Sequence, residues 1–158
     1  MHPITICAIA LTAALLASCA GTGAIGARAI PALPAADTAA AERLIAPDET
    51  LQTLSLPATG STRASGTIDG YRHPAYLVPV AKRQTLAVTL ESPSPNAYFN
   101  VHDAADGSGL AVFNGNSGER VARLTAPADI TYVIRPFQPR ASARRNEQVP
   151  YGLTAQRD

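Results

Sequence analysis

From about Thr62 to the C-terminus, apolar and polar residues alternate in short runs separated by turn-forming residues. Period-two alternation marks a strand with one face in a core and the other in water. The clearest run is Gln84 to Glu91, where Leu86, Val88 and Leu90 point one way and Thr85, Ala87 and Thr89 the other. Similar runs are Thr62–Ile68, Ala75–Val80, Ala97–His102, Leu110–Phe113, Glu119–Leu124, Ile130–Phe137 and Tyr151–Gln156. Pro79 lacks an N–H and assigns Ala75–Val80 to an edge or a bulge. Turn signals stand at Asp69-Gly70, at Ser92-Pro93-Ser94-Pro95-Asn96, from Asp103 to Gly109 and from Asn114 to Gly118. Roughly eight short strands at this spacing predict an all-β domain over residues 62–158, a small antiparallel β-sandwich, with a barrel as the alternative. The expected inward residues are Leu86, Val88, Leu90, Phe99, Val101, Val112, Val133 and Leu153.

Upstream the pattern differs. Ile4 to Leu16 is an uncharged apolar run. It falls short of the roughly 20 residues that a membrane-spanning helix needs and fits the apolar region of an export signal. Its end, Leu16-Ala17-Ser18-Cys19, resembles the lipobox of bacterial lipoproteins. That resemblance implies a signal peptide over residues 1–18, cleaved before Cys19, and lipid attachment at Cys19. Two or more acyl chains hold a protein to a membrane where one does so only marginally. Ser18-Cys19-Ala20 also fits ordinary cleavage after Ala20, which would give a soluble periplasmic protein. Ala20 and Gly21, with no Asp beside the acceptor, imply the outer membrane by the same resemblance. Residues 19–61 are rich in Ala, Pro, Gly and Thr and read as a flexible tether. Such a chain of about 40 residues reaches about 35 Å. Within it, Thr38–Ile45 predicts a short helix capped by Asp37 or Thr38. Leu51, Leu54 and Leu56 would pack on the domain edge, and an extra strand from this segment is the alternative.

Composition narrows the chemistry. The chain has no Trp, 5% aromatic and 16% charged residues, and a formal net charge of +1. Of two cysteines, only Cys19 would survive cleavage, so no intrachain disulfide forms. His73 and His102 would be the only histidines left, with no metal-ligand spacing. Asp103 to Gly109 lacks the ligand count of a calcium loop and reads as a turn. Ser65 and Ser117 have no base partner evident. No cofactor is expected, and the chain reads as a binding protein rather than an enzyme.

Positive charge concentrates in one place. Arg140, Arg144 and Arg145 lie between the last two strands, Arg135 ends the strand before them, and Glu147 is the single acid nearby. The block lacks the interleaved aromatics of a nucleic-acid surface. Alternation places Arg135 on one face with Val133 and Phe137, so that its stem packs on them. The arginine block, together with Ser65-Gly66-Thr67-Ile68-Asp69-Gly70-Tyr71, Ala97-Tyr98-Phe99-Asn100 and Tyr132-Val133-Ile134-Arg135, resembles the periplasmic inhibitors of g-type lysozyme. More loosely, it resembles pre-peptidase C-terminal β-sandwich domains. The resemblance spans about Ala64 to Gln156. It implies a domain that binds a lysozyme and blocks its cleft, with no nucleic-acid partner. A lysozyme cleft works through carboxyl groups. Arg suits such a target because its planar fork binds a carboxylate at two points. The partner-binding residues implied are Tyr71, Arg140 and Arg144, with Arg135 and Arg145 in support. Arg144 could instead pair with Glu147, and Tyr71 could serve the core. A non-catalytic envelope module that binds glycan or a protein is the alternative function.

Overall fold

The computed structural model describes residues 32–158. The signal segment 1–18 and Cys19 lie outside the described residues. The described chain runs α1 (Thr38–Glu42), β1 (Glu49–Thr53), β2 (Ser61–Asp69), β3 (His73–Val80), β4 (Thr85–Glu91), β5 (Tyr98–Asp103), β6 (Ala111–Asn114), β7 (Val121–Thr125), β8 (Ile130–Phe137), α2 (Arg140–Arg144) and β9 (Gln148–Arg157). A five-stranded sheet, β1-β3-β8-β5-β6, faces a four-stranded sheet, β2-β9-β4-β7. The predicted all-β sandwich is therefore the fold. Every pairing is antiparallel except β1 with β3, which is parallel.

The core between the sheets follows from alternation. Tyr76, Val78, Phe99, Val101, Tyr132 and Ile134 meet Ile68, Leu86, Val88, Leu90, Tyr151 and Leu153, all buried. Two of the expected inward residues sit elsewhere. Val112 is 47% exposed. A register shift between Val101 and His102 pairs Val101 with Phe113, and Phe113 stacks on Phe99 at a centroid distance of 4.8 Å. With Phe113 turned inward, the neighbouring Val112 must face out. Val133 is fully buried, but on the outer face of the five-stranded sheet, with Ala75, Leu77 and Ala104. Ala40 and Ala41 of α1 cover that layer. Pro79 lies beyond Leu77, the last β3 residue that β1 contacts, on a stretch of β3 with one neighbour only. A missing N–H is tolerated there.

The second half of the expected tether belongs to this fold. Asp37 caps α1 by accepting the Ala40 amide at 2.9 Å, as an N-terminal Asp does. Leu54 and Leu56 are buried in the main core rather than resting on its edge. The stretch Glu49–Thr53 adds a ninth strand to the expected eight.

One carboxylate fixes that strand. Glu49, 7% exposed, accepts from Arg135 Nε at 2.9 Å and from its guanidinium NH2 at 2.8 Å. It also accepts the Ala46 amide at 2.6 Å, and His73 Nε2 lies 3.2 Å away. A buried charge is tolerable only when its acceptor sites are filled in this way. Arg135, expected in support of partner binding, is engaged by Glu49 and holds β1 to β8. His73 and His102 lie in the same layer. Burial pushes both imidazoles below their ordinary value; Glu49 opposes this for His73, and Arg135 reinforces it for both.

The two sheets also meet through hydroxyls. Tyr76 Oη and Tyr151 Oη are 2.8 Å apart and buried. Gly66 pairs with Tyr151 in the ladder, and a Cβ at Gly66 would lie 2.8 Å from Tyr151 Oη and 3.1 Å from Cζ. The Tyr151 ring occupies the space that a side chain at position 66 would need.

Two outcomes follow. Gly66→Ala should lower the unfolding free energy by about 1–3 kcal/mol, the range for overpacking a rigid site, as read from urea denaturation. The second concerns pH. The unfolded histidines titrate near about 6.5 and the folded ones lower, so below that point the unfolded chain binds more protons. Stability should therefore be full above about pH 7 and fall as pH drops towards about 5. Glu147 and Asp106, whose pKa values are lowered, contribute stability that is lost only at lower pH. Urea midpoints across that window should decline, and His102→Leu should flatten the slope.

Candidate functional site: a tied rim at one end of the sandwich

Strand directions bring four connections to one end: Gly70–Arg72 between β2 and β3, Ser92–Ala97 between β4 and β5, Gly115–Arg120 between β6 and β7, and Gln138–Glu147 between β8 and β9. Side chains tie them together. Arg120 donates to the carbonyls of Ser92 and Ser94 at 3.2 and 2.8 Å. Asn96 Nδ2 donates to Glu147 Oε2 at 3.2 Å, and Ser92 Oγ donates to the Pro150 carbonyl at 2.6 Å. Gln138 Nε2 donates to the carbonyls of both Gly70 and Glu147. A rim held this way loses little further freedom when a partner docks on it.

Tyr71 stands at the tip of the β2–β3 turn, 52% exposed. Gly70 makes the turn with φ +62°, a conformation that glycine reaches without strain. A Cβ there would crowd Asn146 Oδ1 at 3.3 Å and the Ala143 carbonyl at 3.4 Å, so the turn rests directly against the β8–β9 connection. The reading of Tyr71 as a core residue does not hold; Tyr76 and Tyr151 fill that role.

The basic connection contains the short helix α2, which the sequence reading placed in a loop. Ser142 and Ala143 face inward, while Arg140 and Arg144 are exposed. At a spacing of four residues these two share one face of a helix. Neither makes an ion pair among the described residues. Arg145, not Arg144, binds Glu147, with Nε 2.8 Å from Oε1. That bond, with Ser142 adding to it, holds the Glu147 carboxyl below the usual carboxylate range. The structure therefore brings Tyr71, Arg140 and Arg144 to one rim as unengaged groups. It assigns Arg145 to an internal pair on that rim and Arg135 to the layer under β1.

Sequence reasoning missed three parts of the rim: Arg120, Gln138, and the stacked pair Tyr98–Phe137, whose centroids are 5.7 Å apart at its base. Tyr98 and Phe137 end facing runs, and the Tyr98↔Phe137 register makes them neighbours; a correct strand order was the missing signal. Asp103 and Asp106 use their carboxylates within their own turn, on the amides of Ala105 and Ser108. The rim offers guanidinium and phenol donors to an acidic surface. His73 opens β3 directly after the Gly70–Arg72 connection, half-buried, with Nε2 3.2 Å from Glu49 Oε1.

No protein-family model matches the sequence, and no curated protein sequence matches it. Solved structures do. The periplasmic inhibitor of g-type lysozyme from Aeromonas hydrophila is 30% identical, superposes with a TM-score of 0.61, and is matched over 70% of this chain and 97% of its own. The inhibitor of the same description from Salmonella Typhimurium is 21% identical with a TM-score of 0.54, over 69% and 98%. A pre-peptidase C-terminal domain of a collagenase from Bacillus anthracis shares the fold at 15% identity and a TM-score of 0.50, over 68% and 94%.

Proposed function

The chain belongs to the family of periplasmic inhibitors of g-type lysozyme, and from that membership we propose that it binds a lysozyme, g-type foremost, and blocks its cleft. In this reading the rim enters the cleft. Arg140 and Arg144 offer their guanidinium forks to the carboxyl groups on which glycoside hydrolysis depends. Tyr71 adds a phenol with an apolar body and a polar tip, a residue type favoured at the centre of interfaces. Arg145 and Glu147 neutralise each other, so the free positive charge of α2 comes from Arg140 and Arg144.

The observation that carries the reading is the placement of Tyr71 beside α2. The β2–β3 turn and the β8–β9 connection are distant in sequence, yet Gly70 packs on Asn146 and Ala143. The donors therefore project from one rim rather than from independent loops. Fold alone does not assign function; the geometry of the rim and the family membership together support this reading. We further propose that the protein works in the periplasm of a bacterium, held to the outer membrane by lipid on Cys19, where peptidoglycan is exposed to incoming lysozyme.

The purified protein, with α1 and β1 retained, should slow cell-wall lysis by g-type lysozyme more than by c-type or i-type enzymes. Arg140→Ala and Arg144→Ala should each weaken inhibition by about 30-fold, corresponding to about 2 kcal/mol at a central contact. Both should leave the unfolding midpoint unchanged, since exposed substitutions away from internal contacts cost little. No effect on any lysozyme at micromolar domain would reject the function. Full inhibition by both variants would move the contact elsewhere on the molecule. For the anchor, Cys19→Ser should shift the protein from the membrane fraction to the soluble fraction of the periplasm; retention in the membrane would rule out lipid attachment at that residue.

A further inference from the structure

Gln138 lies between Phe137, the last residue of β8, and Pro139, which precedes α2. It is a polar side chain that is 6% exposed. Its Nε2 donates at 3.0 Å to the carbonyl of Gly70, the residue before Tyr71, and at 2.9 Å to the carbonyl of Glu147, just before β9. The Gly70 amide also reaches the Glu147 carbonyl, at 3.4 Å. One primary amide thus spans the turn that presents Tyr71 and the connection that presents Arg140 and Arg144, using both of its hydrogens. Its Oε1 is buried with no partner among the described residues. An unpaired buried acceptor works against stability, so this side chain is not explained by filling the core alone.

We infer that Gln138 is a positioning residue of the inhibitory rim: it fixes the spacing between Tyr71 and the α2 guanidiniums without touching the partner. This rests on the proposed reading of the rim as a lysozyme-binding surface. The alternatives for holding the two segments are weaker. The β2–β9 ladder sets Gly70 next to Glu147 but stops at Asp69↔Gln148, and past it the backbone bond between Gly70 and Glu147 is long, at 3.4 Å. The Gln138 amide fixes both carbonyls to one rigid planar group. Without it, Tyr71 keeps its exposure but loses its register to Arg140 and Arg144.

The test uses Gln138→Met, which keeps length and apolar volume but removes both donors. Gln138→Asn, which keeps the amide but shortens its reach, is the second variant should the first not fold. Folding is checked by circular dichroism and a melting curve. Inhibition of g-type lysozyme should weaken about tenfold or more in a folded variant. Tyr71→Ala should then cost less in the Gln138→Met background than in the wild type, because the phenol is already out of register. A merely structural residue would leave the Tyr71→Ala effect the same in both backgrounds. Hydrogen exchange gives a reading without a partner: the Gly70 amide should exchange faster in the variant, with the β8 ladder unchanged. Inhibition within about twofold of wild type, full additivity with Tyr71→Ala, or unaltered Gly70 exchange would each overturn the inference. Wild-type protein inactive against every lysozyme would reject the parent reading instead, and the exchange result would still decide whether Gln138 couples the two segments.

Discussion

The molecule depends on a contact between two phenols in the gap between its sheets. The buried hydroxyls of Tyr76 of β3 and Tyr151 of β9 share one hydrogen bond, in which one donates and the other accepts. Burial and this bond raise the Tyr151 pKa well above the ordinary phenol range, so its phenol remains protonated. A bulky ring crossing to the opposite sheet needs space, and Gly66 supplies it by having no side chain. The same pairing that sets Gly66 against Tyr151 sets Ile68 against Val149 and Asp69 against Gln148. Core register therefore dictates that the Gly70 turn ends beside Glu147. The chemistry of the rim is a downstream product of how two tyrosines fit.

A second constraint operates on the outer face. Helix α1 and strand β1 supply few large apolar groups of their own, and β1 would be a poor strand in isolation. Glu49 compensates by drawing donors from two sources, Arg135 on β8 and the Ala46 amide next to β1 itself, with His73 Nε2 of β3 lying 3.2 Å away. Buried ion pairs are weak sources of net stability, but they penalise misplacement strongly because a separated partner stays unsatisfied. Glu49 is best understood as fixing the register of β1. The parallel pairing of β1 with β3, unusual for a sandwich of antiparallel strands, is tied to that one carboxylate.

How much of this could be read from the sequence depended on the range of the interaction involved. Local rules held: alternation located the eight antiparallel strands, Asp37 was a recognisable cap, and Asp69-Gly70 a recognisable turn. The motif Ser65–Tyr71 is now physically transparent, with Gly66 for a ring, Ile68 for the core, Gly70 for the turn and Tyr71 for the tip. Non-local facts were illegible. Glu-Thr-Leu-Gln-Thr carries a single large apolar residue, so nothing within residues 49–53 announces a strand; its partner is β3, and its anchor Arg135 lies 86 residues away. Alternation put the Arg135 stem on the packed face but could not name Glu49. In Ala111–Asn114 alternation put Val112 inward, whereas the Phe99 stack and the local register shift place Phe113 there. Of the arginines, Arg140 and Arg144 required a helix to be seen as a pair, and a helix of five residues leaves almost no periodic trace.

The strap formed by α1 and β1 has a consequence for what counts as the domain. A boundary drawn at residue 62, where the alternating pattern begins, would cut off Glu49 and leave the Arg135 guanidinium without its acceptor. It would strip α1 from Ala75, Leu77 and Val133, a row of buried apolar side chains. It would also open the free edge of β3, and an apolar strand with an open edge is a template for pairing with other chains. The smallest piece that carries its own cover therefore starts ahead of Asp37. A shorter piece would keep every residue of the rim and still present a sticky flank, trading a defined binding surface for indiscriminate self-association.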